Sequence, residues 1–314
     1  MQHLPTFRPS PGLIAGVLLL LASSVMASAE CTASVQAGIG GSGVQGWRLA
    51  EGGFAAWSGM NINIDGYARA YHRQNRQAGA VLHLCVGGEV VLPDGSRYHG
   101  SSSGATCTGR FMDDLARIEA AGWADPTVGV VRWYGIVADG EVRMRGQKIA
   151  GIKPVLQRDG SGFYVSPTSL VDKSITDVAD QRRYVHPLRV ASAVVPGGLV
   201  KAGVAMGSFG VAIRRDKKLA VPFVVGDGGP RIGEGSPALA RQAAGLALTD
   251  DITLANRYAG QVDGKSVLWV FFGGPAAGFD QARANDLATG ARAAFEAWGG
   301  EERLRRCLES VPQP

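Results

Sequence analysis

A chain of 314 residues, 46% hydrophobic and 19% charged, has ordinary globular composition and enough length for a large core. The formal net charge is +5, with no long basic run and no aromatics interleaved among the Lys and Arg residues. That argues against a nucleic-acid binder and suits a protein working in anionic surroundings such as a cell wall. The 45 glycines spread along the chain imply many turns, hence short strands more than long helices.

Residues 1–29 read as a signal peptide. Arg8 precedes an apolar run, Leu13–Met26, too short to span a bilayer, and Ala27-Ser28-Ala29 is a small-residue cleavage site. Without Arg8 the mature chain carries +4. Glu30 separates Cys31 from the cut, so no lipoprotein anchor is expected. The protein is read as secreted or periplasmic, where disulfides are permitted. The 4 cysteines allow three pairings. The favoured ones are Cys85–Cys107, nearest in sequence, and Cys31–Cys307, which ties the two ends together. There is no CxxC or HExxH pattern and the 5 histidines show no ligand spacing, so no metal site is expected.

Residues 30–60 read as a Gly-rich flexible leader. Gly38 to Gly43 formally matches GxGxxG but lacks the preceding strand and following helix of a dinucleotide site. Residues 61–275 form the main domain. Asn61–His72 reads as a strand and a turn at Asp65-Gly66, and Val81–Val91 as two strand-like runs. Gly100 to Gly104 matches G-x-S-x-G but lacks the strand-turn-helix context of a nucleophile elbow, which argues against a catalytic serine there. Phe111–Ala121 is a short amphipathic helix. Strands are expected over Gly129–Val137, Glu141–Ile149, the hydroxyl-rich Gly162–Ser169, Val190–Val195, Gly203–Ile213, Leu219–Val225 and Val267–Phe272. Beyond Gly273-Gly274-Pro275, Leu287, Ala291, Phe295 and Trp298 fall at helical spacing, so residues 276–314 read as a helical tail packed on the domain. The fold class is mainly β (α+β), a single domain with a few helices.

The segment Val221–Ala240 carries the chemistry. Val221-Pro222-Phe223-Val224-Val225 reads as a buried strand ending at Gly226, with Asp227 next. A Gly/Pro-rich turn leads to Glu234, and Ser236 and Pro237 are suited to the N-cap and first position of a helix. Desolvation at the strand end would raise the pKa of Asp227, while the helix dipole would favour ionised Glu234. Two carboxyls pushed apart in this way suit a general acid and a general base. The plainer reading makes Asp227 a turn residue and Glu234 a complement to the dipole.

From Ile62 to Phe272 the chain resembles the chitosanases of glycoside hydrolase family 75. The stretches that carry this are Asp65-Gly66 through Ala70-Tyr71-His72, Tyr134-Gly135-Ile136-Val137, Gly162-Phe163-Tyr164-Val165-Ser166, Arg182-Arg183-Tyr184-Val185, Val195-Pro196-Gly197-Gly198 and, above all, Gly226-Asp227-Gly228-Gly229-Pro230 with Gly233-Glu234-Gly235-Ser236. The resemblance implies a core similar to a double-psi β-barrel and inverting hydrolysis of β-1,4 bonds between glucosamine units. It makes Asp227 and Glu234 the catalytic acids, assigned as acid and base respectively, and requires no cofactor. An inverting pair stands roughly 6.5–9.5 Å apart. Asp65, Tyr164 and Ser236 are candidate substrate-binding residues: Asp65 for an amine or hydroxyl, Tyr164 for stacking, Ser236 chiefly as a cap. His186 and Ser208 stand where relatives often have an acid. That departure and the +4 charge keep two alternatives in view, a peptidoglycan glycan strand as substrate or a non-catalytic wall-binding protein. The expected partner is a polysaccharide, and the expected state a monomer.

Overall fold

The computed structural model describes residues 31–50, 52–100, 107 and 110–313. The expected signal peptide and Ser101 to Gly104 lie outside the described residues. The strands are β1 (Ala33–Val35), β2 (Gly46–Leu49), β3 (Phe54–Ile62), β4 (Gly88–Val91), β5 (Arg97–Tyr98), β6 (Val130–Trp133), β7 (Ala138–Met144), β8 (Gln147–Pro154), β9 (Ser192–Pro196), β10 (Phe209–Arg214), β11 (Ala220–Gly229), β12 (Glu234–Gly235) and β13 (Val262–Phe271). The helices are α1 (Phe111–Ala120), α2 (Gly197–Lys201), α3 (Pro237–Ala243), α4 (Asn285–Trp298) and α5 (Gly300–Ser310).

Six strands close into a barrel in the order β3-β12-β9-β11-β10-β13, with β13 pairing back onto β3. The pairs β3–β12 and β9–β11 are parallel, so the barrel is mixed. Alternate residues fill its interior: Phe54, Ala56 and Met60 from β3, Phe223 and Val225 from β11, Trp269 and Phe271 from β13. The other face of β3, β10 and β13 presents Trp57, Ile213 and Leu268 to Phe295, Trp298 and Leu304 of α4 and α5. Burial on both faces is why Val221–Val225 and Val267–Phe271 read as unbroken apolar runs. The tail over 276–314 does pack on the barrel, tied by Cys31–Cys307, and Cys85–Cys107 forms the second disulfide.

The described residues of the expected 30–60 leader, 31–50 and 52–60, belong to the fold. Phe54–Ile62 is a barrel strand, with Trp57 1% and Met60 0% exposed. The Gly-rich loop before it is a brace. The Ser42 N–H donates to the Pro230 carbonyl at 3.1 Å, and the Ile232 N–H to that of Gly40 at 2.9 Å. A Cβ on Gly41, which has φ +80°, would run into that Pro230 carbonyl. Between β3 and β9 the chain builds a second layer, with α1 against β4 and β6 over a core of Tyr71, Leu84, Phe111 and Trp133.

Candidate active site

β11 does not stop at Gly226. A bulge between Val225 and Asp227 leaves Gly226 unpaired, after which the strand resumes with Asp227 opposite Val194. A bulge bends its strand and re-aims the following side chain. The Gly226 carbonyl accepts from Leu170 N–H at 2.8 Å, which pins the segment Ser166–Leu170 beside the bulge. Asp227 Oδ1 accepts from Ser169 N–H at 3.0 Å, Ser169 Oγ at 2.5 Å and Gly228 N–H at 2.8 Å. Burial raises the Asp227 pKa, and these three donors pull it back by stabilising the anion.

Glu234 reaches the same lip from the neighbouring strands. The braced turn at 230–233 sets β12 between β3 and β9, with Glu234 opposite Asn61. Its pKa is also raised, by burial first and then by Asp227, against the opposing charge of Arg231. The helix end was expected to favour the ionised form, but α3 has only 7 residues and burial sets the net direction upward. Among the described residues no protein donor satisfies the Glu234 carboxylate, which leaves it available to water or substrate.

Asp65 lies just past the end of β3, where the barrel meets the second layer. Asp65 N–H donates to Asn63 Oδ1 at 2.8 Å, Gly66 N–H to Ser166 Oγ at 3.2 Å, and Gln181 Nε2 to the Gly66 carbonyl at 3.1 Å. Gly66 has φ +89°, and a Cβ there would strike the Val185 carbonyl. Burial and the charge of Asp227 lead the causes that push the Asp65 carboxyl up to about 8; Glu234 adds to the rise, and the Asn63 and Ser166 hydrogen bonds oppose it. The structure thus brings together three carboxyls that lie far apart in sequence, each half-buried.

The other candidates do different work. Tyr164 is a core residue, 5% exposed and packed towards Trp133 at 6.4 Å between ring centroids, so it offers no face for stacking. Ser236 is a buried cap: its Oγ accepts from Leu239 N–H at 3.2 Å and Ser192 N–H at 3.0 Å, and donates to the Val190 carbonyl at 2.8 Å. Ser208 is fully buried and accepts from Ala205 N–H, so that position holds a turn. Burial lowers the His186 pKa. The residues that sequence reasoning missed are Asn63, Ser166, Ser169 and Gln181. Only the hydroxyl-rich character of Gly162–Ser169 hinted at two of them.

Beside Ser169 lies a cavity of about 710 Å³, lined in part by Lys173, Met206 and Asp280. Beside Asp65 stands Tyr134, 52% exposed, whose neighbour Gly135 accepts from Ser166 Oγ at 3.4 Å. No protein-family profile matches this chain, and no curated protein is similar to it.

Proposed function

We propose that this is a secreted glycoside hydrolase that cleaves β-1,4 bonds within a glucosamine polymer of the chitosan type by an inverting, carboxylate-based mechanism. The observation that supports it is the convergence of Asp227 and Glu234 on one lip of the barrel, in surroundings that raise both pKa values. A carboxyl with a raised pKa can hold a proton for the leaving oxygen, and an unpaired carboxylate can take one from water. Glu234, with no protein donor, suits the base. Asp65, Asp227 and Glu234 gather where Arg231 is the cation set against Glu234, so the site is locally acidic although the chain is basic, and that favours a cationic sugar over an anionic one. The cavity beside Ser169 offers room for a polymer to run on past Asp227. The two parallel pairs of the barrel accord with a double-psi topology, and the two disulfides accord with export.

The test is release of reducing ends from deacetylated chitosan and from purified peptidoglycan by the mature chain, Asp227→Asn and Glu234→Gln. Activity on chitosan that falls at least ~100-fold in each folded variant is expected. Activity on peptidoglycan alone would move the substrate, and no activity on either would leave a binding protein.

A further inference from the structure

One half-buried carboxyl has no part in the mechanism above. Asp65 sits in an Asp-Gly turn, and the ordinary task of such an aspartate is to accept a hydrogen bond from the backbone two residues on. This chain does that repeatedly. Asp94, Asp125, Asp159, Asp172, Asp177, Asp180 and Asp280 each accept from the N–H two positions later. Asp65 does not. Tyr67 N–H goes instead to the Ile64 carbonyl at 3.1 Å, and it is Asn63 that supplies the turn's side-chain acceptor. The Asp65 carboxyl is thereby released from local duty, and the frame of Asn63, Ser166 and Gln181 holds it towards Asp227 and Glu234.

A second observation points to a ligand at the same place. Tyr134 is exposed and lies near enough for the Asp65 charge to raise its pKa, and its backbone is fixed by Tyr134 N–H donating to the Gly87 carbonyl at 2.9 Å. Its hydroxyl lies 3.4 Å from His99 Nδ1. An exposed, anchored tyrosine is a stacking surface for the apolar face of a sugar ring. A ring resting there would bring its glycosidic oxygen to the neighbourhood of Asp65.

Resting on the hydrolase reading but moving the donor's part from Asp227, we propose that Asp65 is the proton donor of this site, with Asp227 as the fixed charge beside it and Glu234 as the base. The groups that face Asp65 are consistent with this. From the barrel come Asp227 and Glu234, both acidic; from the second layer come Tyr71 and Tyr134, whose own pKa values are raised partly by the Asp65 charge. No cation is among the groups that shift it, and only the Asn63 and Ser166 hydrogen bonds oppose the burial that keeps its proton in place near neutral pH. In the reaction the Asp65 carboxyl gives its proton to the glycosidic oxygen as the bond to the anomeric carbon breaks. A water molecule passes one proton to Glu234 as its oxygen bonds to that carbon from the opposite face. The products are two free sugar ends, and solvent returns the proton from Glu234 to Asp65.

A proton donor is needed only when the leaving group is poor. The experiment therefore compares the native chain, Asp65→Asn, Asp227→Asn and Glu234→Gln on a glucosamine hexamer and on a glucosamine trimer carrying a dinitrophenyl leaving group. Asp65→Asn is expected to lose at least ~100-fold in kcat/KM on the hexamer and under ~5-fold on the activated trimer. Glu234→Gln should lose heavily on both. Tyr134→Ala should raise KM with little change in kcat. Carbon-13 titration of the aspartate carboxyls gives a readout apart from turnover: Asp65 should titrate far above the usual carboxylate range and fall in Asp227→Asn. An active chain whose Asp65→Asn variant matches the native, or loses equally on both substrates, overturns the donor role alone. The leaving-group pattern appearing in Asp227→Asn instead moves that role to Asp227. A native chain that cleaves neither substrate overturns the hydrolase reading, and the donor role with it.

Discussion

Ser169→Ala probes the charge on Asp227 without touching an acid. The Ser169 hydroxyl donates to Asp227 Oδ1 at 2.5 Å, while the backbone amides of Ser169 and Gly228 bind the same oxygen at 3.0 and 2.8 Å. Removing the hydroxyl leaves both amides, so the carboxylate keeps its place and loses one of three donors. A hydrogen bond to a charged group contributes about 1.5–3 kcal/mol, and the solvent exposure of Ser169 puts this one at the low end. At about 1.4 kcal/mol per pKa unit, the loss raises the Asp227 pKa by about one unit. The sign follows from the donor: the hydroxyl stabilises the anion, so its absence makes the proton harder to remove. The assay is the pH dependence of kcat/KM on a glucosamine hexamer, which reports groups in the free enzyme. Its acid limb should move up by about one unit, with a loss of about 10-fold on that limb and little change above it. Ser169→Thr should restore the native profile. An acid limb that stays within ~0.3 unit of native, or moves down, would refute the reasoning about Asp227.

Asp65→Asn should alter the pH dependence of stability. The folded carboxyl titrates near about 8 against 3.8 for the unfolded chain. The native state therefore binds the extra proton between these values, and stability falls as pH rises through that window. The variant should melt at least ~3 °C above native at pH ~8.5 and close to it at pH ~4 in calorimetry; equal differences at both would refute the shift. Ser236→Ala removes a cap and strands a buried carbonyl and amide, an expected loss of about 2–4 kcal/mol in urea unfolding, and a loss under ~1 kcal/mol would contradict the capping role. Cys31–Cys307 closes a span of 276 residues and Cys85–Cys107 one of 22, so replacing the first pair by serine should cost about 2 kcal/mol more than replacing the second on the chain-entropy account. Tyr164→Phe should leave kcat and KM within ~2-fold of native, since its ring lies in the core; a larger fall in turnover would return Tyr164 to the site.

The strands that were legible in the sequence are those whose burial shows locally. Val221–Val225 and Val267–Phe272 read as strands because both faces of the barrel wall are covered, and Phe111–Ala121 read as a helix because only one face is. Phe54–Ile62 was hidden among glycines. Its inward face is built from Phe54, Ala56, Ser58 and Met60, a set of mixed size and polarity, and its partners in the barrel, β12 and β13, lie more than 170 residues away. The Gly38–Gly43 loop looked flexible for the same reason, since the turn at Pro230 that it braces is not its neighbour in sequence.

By itself, the amino-acid order pointed to the mainly β character, the helical tail and the Ser236 cap, favoured the two disulfide pairings that form, and singled out Asp227 and Glu234 as candidates. Each of these rests on short-range spacing, on residue chemistry or on a pairing simple enough to enumerate. Closure of the barrel, the bulge that turns Asp227, the desolvation of Glu234 and the arrival of Asp65 beside both acids were decided by tertiary structure. A carboxyl's pKa depends on what surrounds it in space, and here those surroundings come from β3, β11, β12 and the segment Ser166–Leu170, which meet only when the barrel closes.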